Sequence, residues 1–210
     1  MLDAREWQRL MGGLASGVDS WPSNDDRRLS RAGVLVAFIA RASGINVVLT
    51  RRSEQLRWHA GQISFPGGRI EAADATPVVT ARREAREEIG VRARSIHVLG
   101  TLPAYATGTG FIMLPTVAQL DARAEIRRCP SEVSEIVEVP LAFILDAANH
   151  CSHVIQHAGG YYRLGAIAYG DYFIWGATAG VLLTLYQQIT GCAPLVDPRG
   201  EAMSGLSRRE

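Results

Sequence analysis

Residues 61–91 read GQISFPGGRIEAADATPVVTARREAREEIGV, a glycine-rich break that runs into an amphipathic helix. Pro66-Gly67-Gly68 is the strongest chain breaker in the stretch. Thr76 then offers an N-cap oxygen, Pro77 a first helical residue with its φ already set, and Gly90 a stop after Ile89. The spacing predicts a helix of about three and a half turns. Val78, Ala81, Ala85 and Ile89 recur along it at steps of three and four and mark a packing face, while Glu84, Glu87 and Glu88 recur around another side. At about 100° per residue the three carboxylates share roughly a third of the circumference. That is close enough to hold one cation and close enough to repel one another. Arg83 beside them, or a bound divalent metal, would offset the repulsion. Hard oxygen donors of this kind suit Mg2+ or Mn2+. Three helical glutamates alone are more often a solvated face than a metal site. The glycines a short, fixed distance before them point to a site, because a residue without a Cβ lets the backbone approach a ligand or metal.

Working outward, GVLVAFIA and INVVLT on either side of Arg41-Ala42-Ser43-Gly44 read as two strands joined by a tight turn. Apolar runs near 96–102, 111–118 and 133–139 read as further strands, PLAFILDA as a short helix, and the runs flanking Gly159-Gly160 as a second hairpin. A last, largely apolar and buried helix is predicted from near Thr178 to before Gly191, and a loose tail from Pro194. Residues 3–14 suit a short amphipathic helix, and the polar run SNDDRRLSR a surface loop. The reading is of three segments: an N-terminal helix and loop over 1–30, one domain over 31–192, and a flexible tail over 193–210.

The 210 residues are enough for one domain with a sizeable core. Lys plus Arg number 22 against 21 Asp plus Glu, so the net charge of +1 carries no basic field for a nucleic acid. No stretch reaches the roughly 20 apolar residues of a membrane span, and MLDAREWQRL lacks the order of a signal peptide. Cys129, Cys151 and Cys192 form neither a disulfide framework nor a zinc pattern. A cytoplasmic protein with a small-molecule substrate, binding neither nucleic acid nor membrane, is the expectation. His150, His153 and His157 suggest a metal cluster with Cys151, but a helix end followed by a strand would not converge them.

The stretch from Gly68 to Val91 resembles a Nudix box, G-x5-E-x7-R-E-U-x-E-E-x-G-U with U apolar. REAREEIGV, residues 83–91, matches its second half at every specified position. The first half is one residue longer, and Asp74 or Ala75 stands where the first glutamate belongs. The longer spacing is similar to that of the coenzyme A pyrophosphatase branch, FPGGxxDxxD preceded by LLTxRSxxLRxHxGQVS. The segment here is VLTRRSEQLRWHAGQISFPGGRIEAAD, with Glu71 for the first aspartate. Likeness continues in YATGTGF, PSEVSEIVEVPLAFIL and WGATAG, over about residues 33–190.

The resemblance implies an α/β fold, a Nudix α/β/α sandwich with a mixed β-sheet. It implies metal-dependent hydrolysis of the diphosphate of coenzyme A or an acyl-CoA to 3',5'-ADP and the (acyl-)4'-phosphopantetheine. The alternatives are another nucleoside diphosphate derivative, such as ADP-ribose or a dinucleotide, and a non-catalytic nucleotide-binding module. It gives Glu84, Glu87 and Glu88 as ligands of Mg2+ or Mn2+, with the Gly68 carbonyl, and Arg83 as the residue that orients them. Glu88, Glu132 and Glu135 are candidates for the general base. Arg51, Arg57 and His59, with Gly67 and Gly68, are expected at the substrate, Arg51 and Arg57 being favoured over Arg52. Trp175 reads as packing where the last helix begins. A homodimer is a family-level expectation.

Overall fold

The computed structural model describes residues 4–14, 29–157 and 159–203, with side chains from Gln8 onward. Residues 23–28 of the polar run expected as a surface loop lie outside them. In chain order the elements are α1 (Ala4–Gly13), β1 (Ser30–Arg41), β2 (Gly44–Arg52), β3 (Ile63–Ser64), β4 (Gly67–Arg69), α2 (Pro77–Ile89), β5 (Ile96–Thr101) and β6 (Tyr105–Ala106). Then come β7 (Phe111–Leu120), β8 (Val133–Pro140), α3 (Leu141–Ile144), β9 (His150–His157), β10 (Gly160–Tyr169), β11 (Tyr172–Trp175), α4 (Gly176–Thr190) and β12 (Glu201–Ala202).

β1 and β2 form the expected hairpin, closing at Arg41 and Gly44. β7 pairs with β1 in parallel, and β8 with β2 antiparallel, so the main sheet is mixed. Away from their turn β1 and β2 part. β3, pairing with β2 at Thr50 and Arg51, and β4, pairing with β1 over Ala32–Val34, occupy the opening. That opening is where the glycine loop enters the sheet.

Strand alternation divides the core in two. Leu35, Ala37, Ile39 and Val48 point to one face and pack under Ala81, Ala85 and Ile89 of α2. Val34, Val36, Phe38, Val47 and Leu49 point to the other and pack against Leu182, Leu183 and Leu185 of α4. The result is an α/β/α sandwich. α4 is buried on nearly every side because a second sheet, built on β10 with β9, β11 and β12, takes up its remaining face. It begins at Gly176, two residues before the expected start. Among the described residues no helix is long and apolar enough to cross a membrane.

Two expectations need correcting. On α2 the packing face holds Thr80 and Glu88 with Ala81, Ala85 and Ile89, and Val78 is only half-buried, because the first turn leans on β1 through Thr80. The stretch from Pro194 is not loose as far as Met203. Val196 is buried, Tyr105 donates its hydroxyl to the Pro198 carbonyl at 2.8 Å, and β12 pairs with Tyr162 and Arg163 of β10.

Candidate active site

α2 begins and ends on its caps. The Thr76 hydroxyl accepts from the Val79 amide at 3.2 Å, and Gly90 closes the helix in the left-handed region with φ 68°. The following loop is bound to this end, Arg127 and Cys129 donating their amides to the Ile89 and Glu88 carbonyls. Those bonds bring Glu132 toward the carboxylates of the helix.

The glycines bring β4 against both β1 and α2. A Cβ on Gly67 would stand 2.7 Å from the Gly33 carbonyl and the Val34 Cα, and one on Gly68 2.3 Å from Glu84 Oε1. With no side chain there, the Gly67 amide donates to Glu88 Oε2 at 3.2 Å. Glu84 and Glu88, one turn apart, therefore sit directly under the loop.

Arg83 organises the acidic groups. Its Nη1 donates to Glu84 Oε1 and to Glu87 Oε2, each at 2.9 Å, and lies 3.6 Å from Glu71 Oε1. Its Nη2 donates to the Arg69 carbonyl and to Asp74 Oδ2, each at 2.9 Å, and its Nε faces both Asp74 oxygens. Asp74 is buried and bound to its own loop by the Glu71 amide at 3.0 Å. The hydrogen bonds from Arg83 hold the Asp74 carboxyl below the usual aspartate range, against the effect of burial. Asp74 thus carries the charge that faces Arg83 from the loop, one element away from the helical glutamates.

The remaining carboxylates are short of positive charge. Burial pushes Glu84 up, partly offset by Arg83. Glu88 is pushed up to about 8, first by burial and then by the charge of Glu84, with Glu132 adding to it while the Gly67 amide and Arg52 oppose. A buried carboxylate whose pKa is raised further by a part-buried neighbour is disfavoured as an anion, and a divalent cation between Glu88 and Glu84 would relieve this. As the side chains stand, no three carboxylates among the described residues converge into a ready cage, since Glu84 and Glu87 are drawn to Arg83. The donors are oxygens throughout, which fits Mg2+ or Mn2+.

The structure separates the other expected residues. Arg51 and Arg52 lie on opposite faces of β2. Arg52 Nη1 is 3.8 Å from Glu88 Oε1, on the side of α2. Arg51 turns away from the acidic helix, with Nε 3.5 Å from Glu135 Oε2 and its guanidinium 5.1 Å from the Tyr172 ring centroid. Arg52, and not Arg51, is therefore the arginine on the acidic face, and in LLTxRS the specified arginine falls on Arg52. Glu135 goes with Arg51, accepting the Tyr172 hydroxyl at 2.6 Å, so of the two later carboxylates only Glu132 faces Glu84 and Glu88.

Arg57 and His59 are exposed on the loop between β2 and β3, Arg57 5.2 Å over the Trp58 ring and His59 Nδ1 2.9 Å from Gln62 Oε1. β9 begins at His150 itself, after a single 3-10 turn, and spreads the histidines. His150 is buried against Tyr186, with Nε2 2.8 Å from the Ile144 carbonyl, while His153 lies edge-on to Phe173 and Trp175. Trp175 stands at the N-cap of α4.

The model of the NUDIX domain family matches residues 29–153. The uncharacterized Nudix hydrolase NudL of Klebsiella pneumoniae strain 342 is 36% identical over 168 residues, 80% of this chain and 87% of that protein. NudL of Escherichia coli K12 is 36% identical over 159 residues, 76% and 82% of the two chains. Neither name states a substrate. The crystal structure of a MutT/nudix family protein from Enterococcus faecalis superposes with a TM-score of 0.52 at 12% identity, covering 95% of this chain and 78% of that one, a likeness of fold alone.

Proposed function

The chain belongs to the Nudix hydrolases, and within that family we propose that it cleaves the diphosphate of coenzyme A or an acyl-CoA, releasing 3',5'-ADP and the (acyl-)4'-phosphopantetheine. The observation that carries the hydrolytic half is the placement of buried Glu88 and part-buried Glu84, one turn apart, beneath two glycines. The substrate half rests on the likeness of residues 48–74 to the coenzyme A branch. Divalent metal ions are the general cofactors of the family; Mg2+ or Mn2+, when bound, neutralises diphosphate oxygens and lowers the pKa of an attacking water.

The residues divide the work. Glu84 and Glu88 would hold the cation, with Glu87 and the Gly68 carbonyl as further oxygen donors. Arg83, fixed by Asp74, sets where the Glu84 and Glu87 carboxylates point. Arg52 stands beside Glu88 and is the positively charged side chain placed to pair with a phosphate oxygen of the substrate. Glu132 faces the pair across the site and is the base we favour, with Glu88 as the other candidate.

The test is turnover. Purified protein is incubated with coenzyme A, ADP-ribose and a dinucleotide, with Mg2+, Mn2+ or chelator, and the products are separated, with Glu88→Gln run alongside. Metal-dependent 3',5'-ADP that the variant fails to make is the expected result. Preference for ADP-ribose would keep the chemistry and overturn the substrate.

A further inference from the structure

We propose that Trp58 is a stacking platform for the nucleobase of the substrate, with Arg57 backing the indole; this rests on the reading of the site as one for nucleoside diphosphate derivatives. A single exposed aromatic is ordinary. The construction of the loop that presents this one is not. Trp58 is 68% exposed at the middle of residues 53–61, which join β2 to β3.

Both ends of that loop are part of the acidic site. On the way in, Arg52 faces Glu88 and the Ser53 amide donates to the Glu132 carbonyl at 2.8 Å. On the way out, Gln62 leads through Ile63 to Pro66 and the glycines. The loop is closed on itself by Arg52 amide to Gln62 carbonyl at 3.0 Å and Gly61 amide to Arg52 carbonyl at 3.1 Å, and its first turn by Leu56 amide to Ser53 carbonyl at 3.2 Å.

The tip itself is fixed. His59 takes φ 58°, a conformation costly for a residue with a Cβ. It is kept there by the Gln62 amide on its carbonyl at 3.2 Å and by its own Nδ1 against Gln62 Oε1 at 2.9 Å. The Arg57 guanidinium lies 5.2 Å over the indole, which restrains the ring and leaves most of it open to solvent. An indole offered to water, on a strained and closed loop anchored to the metal-binding glutamates, is preorganised for a flat apolar ligand. Five residues of chain from Ser53 span at most about 17 Å, so Trp58 lies within that distance of the loop's anchor at the acidic site. A base could therefore rest on Trp58 while its diphosphate lies on Glu84 and Glu88.

The experiment uses the full chain, with Trp58→Ala and Trp58→Phe, and two probes in the presence of Mg2+: adenosine 3',5'-bisphosphate, which has a base, and inorganic pyrophosphate, which has none. Thermal unfolding checks that the variants fold, as an exposed position should allow. Trp58→Ala is expected to raise the Kd for the nucleotide about ten- to a hundredfold, to leave pyrophosphate binding unchanged, and to raise KM for coenzyme A more than it lowers kcat, with Trp58→Phe restoring most of the loss. Unchanged nucleotide affinity in a folded Trp58→Ala, or equal weakening of both probes, overturns the proposal. Failure of the wild type to cleave any diphosphate while Trp58 still governs nucleotide binding would sink the hydrolytic reading and leave this one standing; cleavage with Trp58→Ala silent would do the reverse.

Discussion

Asp74→Ala is the perturbation that most directly probes how the site is assembled. The carboxylate is buried, with a side-chain exposure of 3%, and it faces both Nε and Nη2 of Arg83 while also accepting the Glu71 amide. Breaking a buried ion pair from one side costs about 3–5 kcal/mol when the other charge is left unpaired. Arg83 would not be, since Glu84, Glu87 and Glu71 remain near it and its side chain is 20% exposed. The cost therefore falls below that range, to about 2–3 kcal/mol. For a domain of this size about 1 kcal/mol shifts Tm by 2–4 °C, so a fall of about 4–12 °C is expected in a thermal melt. Asp74→Asn, which keeps one acceptor but carries no charge, should cost roughly half as much. A double-mutant cycle with Arg83→Ala isolates the pair, with a coupling of about 2 kcal/mol expected. Mg2+ titration should show weaker binding in Asp74→Ala, because a freed Arg83 competes with the cation for Glu84 and Glu87. Costs that add to within about 0.5 kcal/mol would place the two residues in separate networks and refute the reasoning.

Three further outcomes follow from the same geometry. Gly68→Ala should fold, because its Cβ meets only the movable end of Glu84 at 2.3 Å, but it should lose metal affinity; Gly67→Ala meets backbone at 2.7 Å and should lower stability by about 1–3 kcal/mol, so equal melts for the two variants would argue against the difference. Glu88→Gln in chelator should be at least as stable as the wild type, since burial and Glu84 oppose the ionised carboxylate, whereas only the wild type should gain Tm on adding Mg2+. Glu138 is held below the usual glutamate range first by its hydrogen bond from Arg41, against burial, with Asn46 donating as well. Its contribution is therefore present above the unfolded value of about 4.3 and lost as pH falls through the lower folded value. Being part-exposed, the pair is worth about 0.5–1 kcal/mol, and Glu138→Gln should narrow the difference in stability between pH 7 and pH 3 by that amount.

The parts of the fold that were legible are those whose local rules agree. Thr76, Pro77 and Gly90 bound α2 through their own backbone chemistry, and the first hairpin follows from two β-branched runs around a four-residue turn. What was not legible depends on partners distant in the chain. β3, β4 and β12 are two or three residues long and exist only because β2, β1 and β10 offer open edges. Glu201 and Ala202 carry no strand signal, and Arg163 and Tyr162, about 40 residues earlier, define their conformation. Val78 looked like part of the apolar stripe, but contact at Gly33, where a Cβ would meet the Pro77 carbonyl at 2.6 Å and the Thr80 Cβ at 2.8 Å, rotates the first turn so that Thr80 is buried.

The site itself divides along the same line. Glycines, glutamates and Arg83 are close in sequence, and a helix with a preceding loop brings them together wherever the rest of the chain goes. The choice between Arg51 and Arg52 has a different basis, which face of β2 each residue occupies, and that between Glu132 and Glu135 depends on where β8 begins, Glu132 lying in the turn before it. A shift of one residue moves a side chain to the opposite face, and between Arg51 and Arg52 the β2–β8 pairing slips, Arg51 opposing Glu135 while Arg52 opposes Val133. Ser134, the residue left over, bonds its hydroxyl back to the Arg51 and Arg52 carbonyls. Alternation along β2 puts Arg52 toward Glu88 while Arg51, Glu135 and Tyr172 form a separate group on the side of α4, and the bulge in β8 sets which of its residues opposes each arginine. Two adjacent arginines of identical chemistry thereby acquire different surroundings, one at the acidic helix and the other joining the main sheet to β11. Composition cannot distinguish them; Arg52→Ala should weaken phosphate binding with little change in Tm, and Arg51→Ala should do the opposite.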